Sequence, residues 1–503
     1  MLVVLLGAAM RGGAMLNHDV GWLYIAAGRM LAGGTYTADF FEVNMPLAIA
    51  AYIPPQVLAA WFHWSANRAI SVWTFALICQ SVWLCLRVNP ARWAAVAGGK
   101  PLVAAWLLIG LIFLPGYDFA QKEHLIAILG LPLLFLAAES GNGPGRGMRI
   151  HIALLAAFGF FLKPHYAPLP FLLLAANAVG KRSWKPLVSP EALTLVAAGL
   201  LDAIVTLALY RDWFVCLRWA GDLYGAFRSA GWSKVLRAPG MEIAAVCLAI
   251  QLGVALAHRD FRRGAWPLLL AAAYACIAYL AQFTGWSYHA LPARIFVFAG
   301  QGLTVAACIA AGLRPALRHG LLALALAGAA AEAGAAVRGE LGQPGLAALQ
   351  RMPAAFGAAA PGDYVYAFST EVVPVFPTVP LLNLKWASRF SHLWPLLRLA
   401  TLQNPNDAAA ARLRAAYDTP LVGAVAQDFE RYRPTVVLVD RRDIAGAPPD
   451  FDILSPFLAD PRFASIWRAY TKIGWVPYPE HHYGFDIYVR SRASAGPPNG
   501  AGR

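Results

Sequence analysis

The chain has 503 residues, of which 59% are hydrophobic and 14% charged, with a mean hydropathy of +0.53 and a net charge of +14. Apolar residues in repeated long blocks with few internal charges exclude a soluble globule and indicate a polytopic membrane protein. Membrane-facing loops beside anionic lipid account for the positive charge, and nothing points to nucleic acid.

The N-terminus, MLVVLLGAAMRGGAML, is apolar but holds only ten residues before Arg11, about half of the ~20 that a crossing helix needs. It lacks the basic start and small-residue cleavage site of a signal peptide, so it reads as a first transmembrane helix whose cytoplasmic half is missing or short. His18, Asp19, Asp39 and Glu42 follow before the next apolar block. Carboxylates beside a membrane segment cost desolvation energy unless they face water, a partner or a substrate, so this stretch marks a site. Val20 to Leu31 fits an amphipathic helix ended by Gly33-Gly34, with Asp19 as its N-cap. Such a cap is also held rigidly and kept ionised, which does not exclude a functional role. Pro46 to Phe62 contains Pro54-Pro55 and reads as a broken helix at the interface rather than a span.

Spans are expected near Ser71 to Val88, Pro101 to Pro115, Leu125 to Ala138, His151 to Leu162, Tyr166 to Val179, Leu187 to Tyr210, Met241 to Ala257, Ala265 to Phe283, Ile295 to Leu313 and Leu321 to Val337. With the His18 loop outside, the inner loops carry thirteen Lys and Arg residues against Glu139 and Asp260. That bias orients the acidic cluster away from the cytoplasm. The six cysteines are scattered without CxxC spacing, so neither a disulfide framework nor a metal site is expected.

Four further outer segments carry candidate residues. Gly116 to His124 (GYDFAQKEH) holds Asp118 and Glu123, either an ordinary polar turn or carboxylates converging with the first loop on one acid–base site. Lys163, followed by Pro164 and His165, ends an apolar stretch; a snorkelling lysine is the ordinary account, and a lipid phosphate would sit at the same place. Thr284 to Arg294 (TGWSYHALPAR) offers His289 and Arg294 beside an aromatic belt. The loop from Arg211 to Arg237, which includes Arg218, is net positive on the outer side, where an anionic ligand would account for it.

After Val337 the hydrophobic blocks give way to mixed sequence. Asp363 to Ser369, Pro434 to Asp440 and Phe485 to Arg490 read as strands, and Ala408 to Tyr417 and Val425 to Tyr432 as helices. The expected architecture is an all-α polytopic membrane domain, residues 1–338, followed by a small α/β periplasmic domain, residues 339–490, and a disordered tail, residues 491–503.

These residues resemble the GT-C superfamily of membrane glycosyltransferases, in particular the family-39-like branch with protein O-mannosyltransferases and the lipid A aminoarabinose transferase. The likeness rests on His18-Asp19 after the first span and on Gly34-Thr35-Tyr36 leading to Asp39-Phe40-Phe41-Glu42. It continues in Asn44-Met45-Pro46-Leu47, Glu123-His124-Leu125, the GFFLKP run ending at Pro164, and Tyr288-His289-Ala290-Leu291-Pro292. The resemblance implies eleven spans, juxtamembrane helices in the first outer loop, and a polyprenyl-phosphate-linked sugar donor on the bacterial inner membrane. It further implies that Asp19 is the base that activates an acceptor hydroxyl, on a glycan, lipid or protein, and that the sugar transfers with inversion. Asp118 and Glu123 are the further catalytic candidates, either of which would supply the second carboxylate, and Lys163, His165, His289, Arg294 and Arg218 are the expected phosphate contacts. His18, Asp39, Glu42 and Asn44 support the first loop. Relatives often place a lysine where this chain has Asn44-Met45-Pro46, and a second acid beside the first aspartate, where this chain has Val20.

No P-loop or Rossmann signature is present, as expected for a donor without a nucleotide. The lipid-linked sugar is the expected donor, no metal-binding residues are assigned, and the sequence does not identify a divalent-metal requirement. The rival readings are a secondary transporter, which predicts inverted repeats and mid-membrane charges, and a non-catalytic subunit of envelope polysaccharide assembly.

Overall fold

The computed structural model describes residues 1–13, 15–88, 99–139, 143–224, 231–237, 240–257, 259–310, 346–373, 375–402, 407–477 and 484–491, with scattered positions between 319 and 334. Most of the expected span from Leu321 to Val337, and the tail after Ser491, lie outside these residues.

Helices form at the other expected spans: Leu2–Gly13, Ala66–Val88, Gly99–Phe113, Lys122–Ala137, Arg146–Phe160, Pro168–Gly180, Pro190–Leu209, Met241–Ala257, Arg259–Gln282 and Ser287–Ala310. Several begin in polar residues ahead of the apolar block, since backbone hydrogen bonding extends a helix past the point where hydropathy falls. Among the described residues, Ala66–Val88, Pro190–Leu209 and Phe261–Gln282 are long and apolar enough to cross a membrane by length and composition; the other expected spans are shorter or less uniformly apolar. In Pro190–Leu209, Leu200, Leu201 and Ile204 are each 61% exposed. An apolar face of this size on a long helix is satisfied by lipid, not by water.

Lys122–Ala137 is the central rod, buried from Lys122 to Leu136 and packed against Ala66–Val88, Arg146–Phe160 and Ser287–Ala310. Its crossing with Arg146–Phe160 is close enough that a Cβ at Gly159 would come within 2.7 Å of the Leu129 side chain; glycine is what permits that approach. Because the rod is central, its first turn delivers Lys122, Glu123 and His124 into the protein interior.

The first outer loop folds into helices His18–Leu31, Pro46–Ala50 and Ile53–Phe62. The N-cap of the first is Asn17, two residues earlier than the sequence reading placed it: its Oδ1 accepts from the Asp19 amide at 2.9 Å and the Val20 amide at 3.5 Å. Asp19 is therefore not spent on capping. Gly33, at φ +82°, closes the helix as expected. The break in Pro46 to Phe62 falls at Ala51–Tyr52, and Pro54-Pro55 lie in the first turn of the second helix, where a missing N–H has no intrahelical partner to lose.

The C-terminal part carries a five-stranded sheet in the order β2-β1-β3-β5-β4, with β1 Tyr364–Phe368, β2 Lys385–Trp386, β3 Val436–Asp440, β4 Tyr470–Pro477 and β5 Gly484–Arg490. β1 is parallel to β2 and β3, while β5 runs antiparallel to β3 and β4. β1, β3 and β5 match the expected strands. β2 and β4 had no clear signal, because one is two residues long and the other exposes half of its residues without strict alternation. The two expected helices are one, Ala408–Tyr432, which runs through Pro420 because Leu421, Val425 and Phe429 stay buried on one face.

This part clamps the first loop. The Arg29 guanidinium donates to the carbonyls of Asp39, Ser388 and Trp386. Arg389 donates to the Thr37 carbonyl at 2.9 Å, and the Phe41 amide to the Arg389 carbonyl at 2.6 Å.

Candidate active site

A cavity of about 1270 Å³ lies where the first loop, the ends of four long helices and the C-terminal sheet part meet. His18, Asp19, Glu42 and Asn44 line it from the first loop, Asp118 and Lys122 from the second, and Lys163 and His165 from the turn after Arg146–Phe160. His289 and Arg294 line it from the start of Ser287–Ala310. His392 and Arg442 come from the C-terminal part. Residues as far apart in the chain as His18 and Arg442, 424 positions by subtraction, thus face one volume.

Asp19 sits in the first turn of its helix, with its Oδ2 accepting from Gln121 Nε2 at 3.0 Å and its Oδ1 3.7 Å from His18 Nε2. Burial alone would push this carboxyl up. The charges of His18 and Lys122 and the Gln121 hydrogen bond outweigh it and hold Asp19 below the ordinary carboxylate range. His18 is itself fixed against Tyr117, whose hydroxyl lies 3.1 Å from both its amide and its Nδ1. Burial lowers the His18 imidazole, with the Asp19 charge opposing that effect. His392, pushed down to about 3 by burial, stays neutral beside them.

Asp118 has the opposite environment. Its Oδ1 accepts from Asn17 Nδ2 at 3.3 Å and its Oδ2 from Ser287 Oγ at 2.9 Å, yet burial raises it to about 7. Two carboxyls in one cavity with separated proton affinities are a common arrangement for acid–base chemistry.

Glu123 does not reach the cavity as a free acid. Lys163 Nζ donates to its Oε1, His289 Nε2 lies 3.7 Å from the same oxygen, and the Glu123 side chain is 1% exposed. The His289 ring is further fixed by Thr284 Oγ1 at 2.8 Å from Nδ1, and Lys163 lies 5.7 Å from the Tyr288 ring centre. Glu123 is thus the anchor of Lys163 and His289. Among the described residues, the buried Nε2 of His165 has no hydrogen-bond partner.

No protein-family model and no curated protein matches the chain. Among solved structures, the chain is similar to the arabinofuranosyltransferase AftD from Mycobacteria, at 13% identity and TM-score 0.49 over 97% of this chain and 39% of that one. It is also similar to ArnT from Cupriavidus metallidurans in the apo state, at 13% identity and TM-score 0.48 over 99% and 97%. The chain spans 39% of the length of AftD.

Two expected site residues lie elsewhere. Arg218 is exposed, outside the cavity lining, beside the Tyr417 hydroxyl that donates to Asp222. Its helix, Trp213–Leu223, turns that charge toward the C-terminal part rather than inward. Asp39 accepts from the Thr35 amide at 2.8 Å and from Arg431 at 2.8 Å, which makes it a tie between loop and C-terminal part. Glu42 and Asn44 do line the cavity but satisfy each other, the Asn44 amide and Nδ2 donating to Glu42 Oε1 at 2.9 and 2.7 Å while Trp22 Nε1 donates to Oε2. Among the described residues, no group of three or more His, Cys, Asp or Glu side chains converges on a metal position.

Sequence reasoning passed over Gln121 and Lys122, although both stand in the GYDFAQKEH loop. The signal was their place at the N-terminus of a fully apolar helix, which carries its first turn wherever the helix packs. For His392 and Arg442 no local signal exists, because only the tertiary clamp brings them to the cavity.

Proposed function

We propose that the chain is an integral membrane glycosyltransferase that moves a sugar from a polyprenyl-phosphate donor to an acceptor hydroxyl on the outer face of a bacterial inner membrane, with inversion. The observation that carries this reading is the Asp19 carboxylate, ionised, free of capping duty, and opening on the same cavity as a cluster of cations. The acceptor hydroxyl gives its proton to Asp19 as its oxygen bonds to the anomeric carbon from the face opposite the phosphate. The bond from that carbon to the phosphate oxygen breaks with its electron pair left on the oxygen, and cavity cations stabilise the departing phosphate. Glu123 holds Lys163 and His289 in place beside the cavity, and the C-terminal part closes the site through the Arg29 and Arg389 contacts.

The acceptor is a glycan, lipid or protein hydroxyl. The test compares the masses of lipid-linked and cell-envelope glycans from cells with the chain, without it, and with Asp19→Asn. One glycan lacking one sugar in both deficient strains is the expected result; identical glycan masses in all three strains overturn the reading.

A further inference from the structure

Lys122 is a cavity cation to which the mechanism above gives no role of its own. It is 3% exposed and lines the cavity from the first turn of the central rod. Among the described residues its ammonium forms no ion pair and no hydrogen bond. Lys163 is instead bound to Glu123. An unpaired ammonium is costly to bury, so a protein that keeps one there gains something when an anion arrives.

The neighbouring charges narrow what that anion meets. Lys163 and His289 both address Glu123 Oε1, which leaves that cluster close to neutral. Glu42 and Asn44 are satisfied by each other, and Asn44 stands where the resemblance anticipates a lysine. Lys122 lines the same cavity as Asp19 and His289 and directly precedes Glu123 at the start of the central rod, which puts its charge in the same volume as the base.

We infer that Lys122 is the cation that binds the lipid-linked phosphate in this chain, a deepening that rests on the glycosyltransferase reading. Its ammonium donates to a non-bridging phosphate oxygen of the donor. When the acceptor oxygen bonds to the anomeric carbon and the carbon to phosphate-oxygen bond breaks, the electron pair stays on the leaving phosphate, and Lys122 faces the added charge. The acceptor proton resides on Asp19. Lys163, already held by Glu123, orients the cluster without meeting the phosphate directly.

The test uses the full chain in lipid nanodiscs, with farnesyl phosphate, farnesol and inorganic phosphate as probes. Wild type is expected to bind farnesyl phosphate more tightly than either control. Lys122→Met is expected to weaken farnesyl phosphate binding by about tenfold to a hundredfold, to leave farnesol binding unchanged, and to unfold without ligand at the same or a higher temperature than wild type. Lys122→Arg recovers much of the binding, and Lys122→Gln replaces the methionine variant if that one does not fold. A merely structural lysine predicts the reverse pattern, a lower unfolding temperature with no selective loss of the phosphate probe. A folded Lys122→Met chain that binds farnesyl phosphate within about twofold of wild type overturns this assignment and leaves the glycosyltransferase reading standing. Wild type that fails to distinguish farnesyl phosphate from farnesol overturns both. Inorganic phosphate binding as tightly as farnesyl phosphate overturns the lipid-linked ligand in favour of free phosphate.

Discussion

Replacing Lys163 by methionine removes the charge that faces Glu123 while keeping most of the side-chain volume. Glu123 then keeps a side chain 1% exposed, with His289 Nε2 at 3.7 Å as its remaining ion-pair contact among the described residues. Breaking a buried pair from one side costs about 3–5 kcal/mol, because the remaining charge has neither water nor partner. Glu123→Gln alone leaves the Lys163 ammonium, which is 11% exposed and near the Tyr288 ring, so its cost is smaller. The double variant Lys163→Met/Glu123→Gln has no stranded charge and is expected to recover at least about 2 kcal/mol relative to the sum of the single costs. Denaturation of the purified variants in detergent, followed by tryptophan fluorescence, measures the cycle. Single costs below about 1 kcal/mol, or costs that simply add, refute the claim that this pair is a buried, mutually dependent unit.

Two further expectations follow from the site and its clamp. Asp118 binds its proton more tightly in the folded chain, at about 7 against the ordinary 3.8, so its contribution to stability is greatest below pH 4, falls as pH rises, and is lost above 7. Relative to Asp118→Asn, wild type should lose on the order of 4 kcal/mol or less between pH 4 and 8 in a pH series of unfolding curves; a difference that does not change with pH contradicts the assignment. Arg29→Leu strands three carbonyls on the first loop and C-terminal part, at a cost of about 3 kcal/mol. Amide exchange at residues 385–389 should then accelerate, and unchanged exchange there contradicts the clamp.

Much of this fold was legible because membrane helices advertise themselves: each apolar block between Ala66 and Ala310 became a helix, and the short helix from His18 ended at the glycines that marked it. The acidic first loop and the Lys163, His289 and Arg294 positions also fell on one cavity. What sequence did not convey was partnership. Asn17 rather than Asp19 caps the helix because capping depends on a two-residue difference in where the chain turns. Glu123 binds Lys163 across 40 positions, and Arg218 and Asp39 serve the contact with the C-terminal part, because those choices are made by packing between elements. The long helix through Pro420 is the same lesson in local form, where burial of one face outweighs a lost backbone bond.

Central to this account is a carboxylate that works on a lipid-bound sugar without being needed to hold it. The most direct measurement gives radiolabelled polyprenyl-phosphate sugar to purified wild type and to Asp19→Asn and records both bound sugar and released polyprenyl phosphate in the presence of acceptor. Equal binding, with release slowed by about a hundredfold or more in the variant, is the predicted result. Release by Asp19→Asn at the wild-type rate, or no binding by wild type, contradicts it.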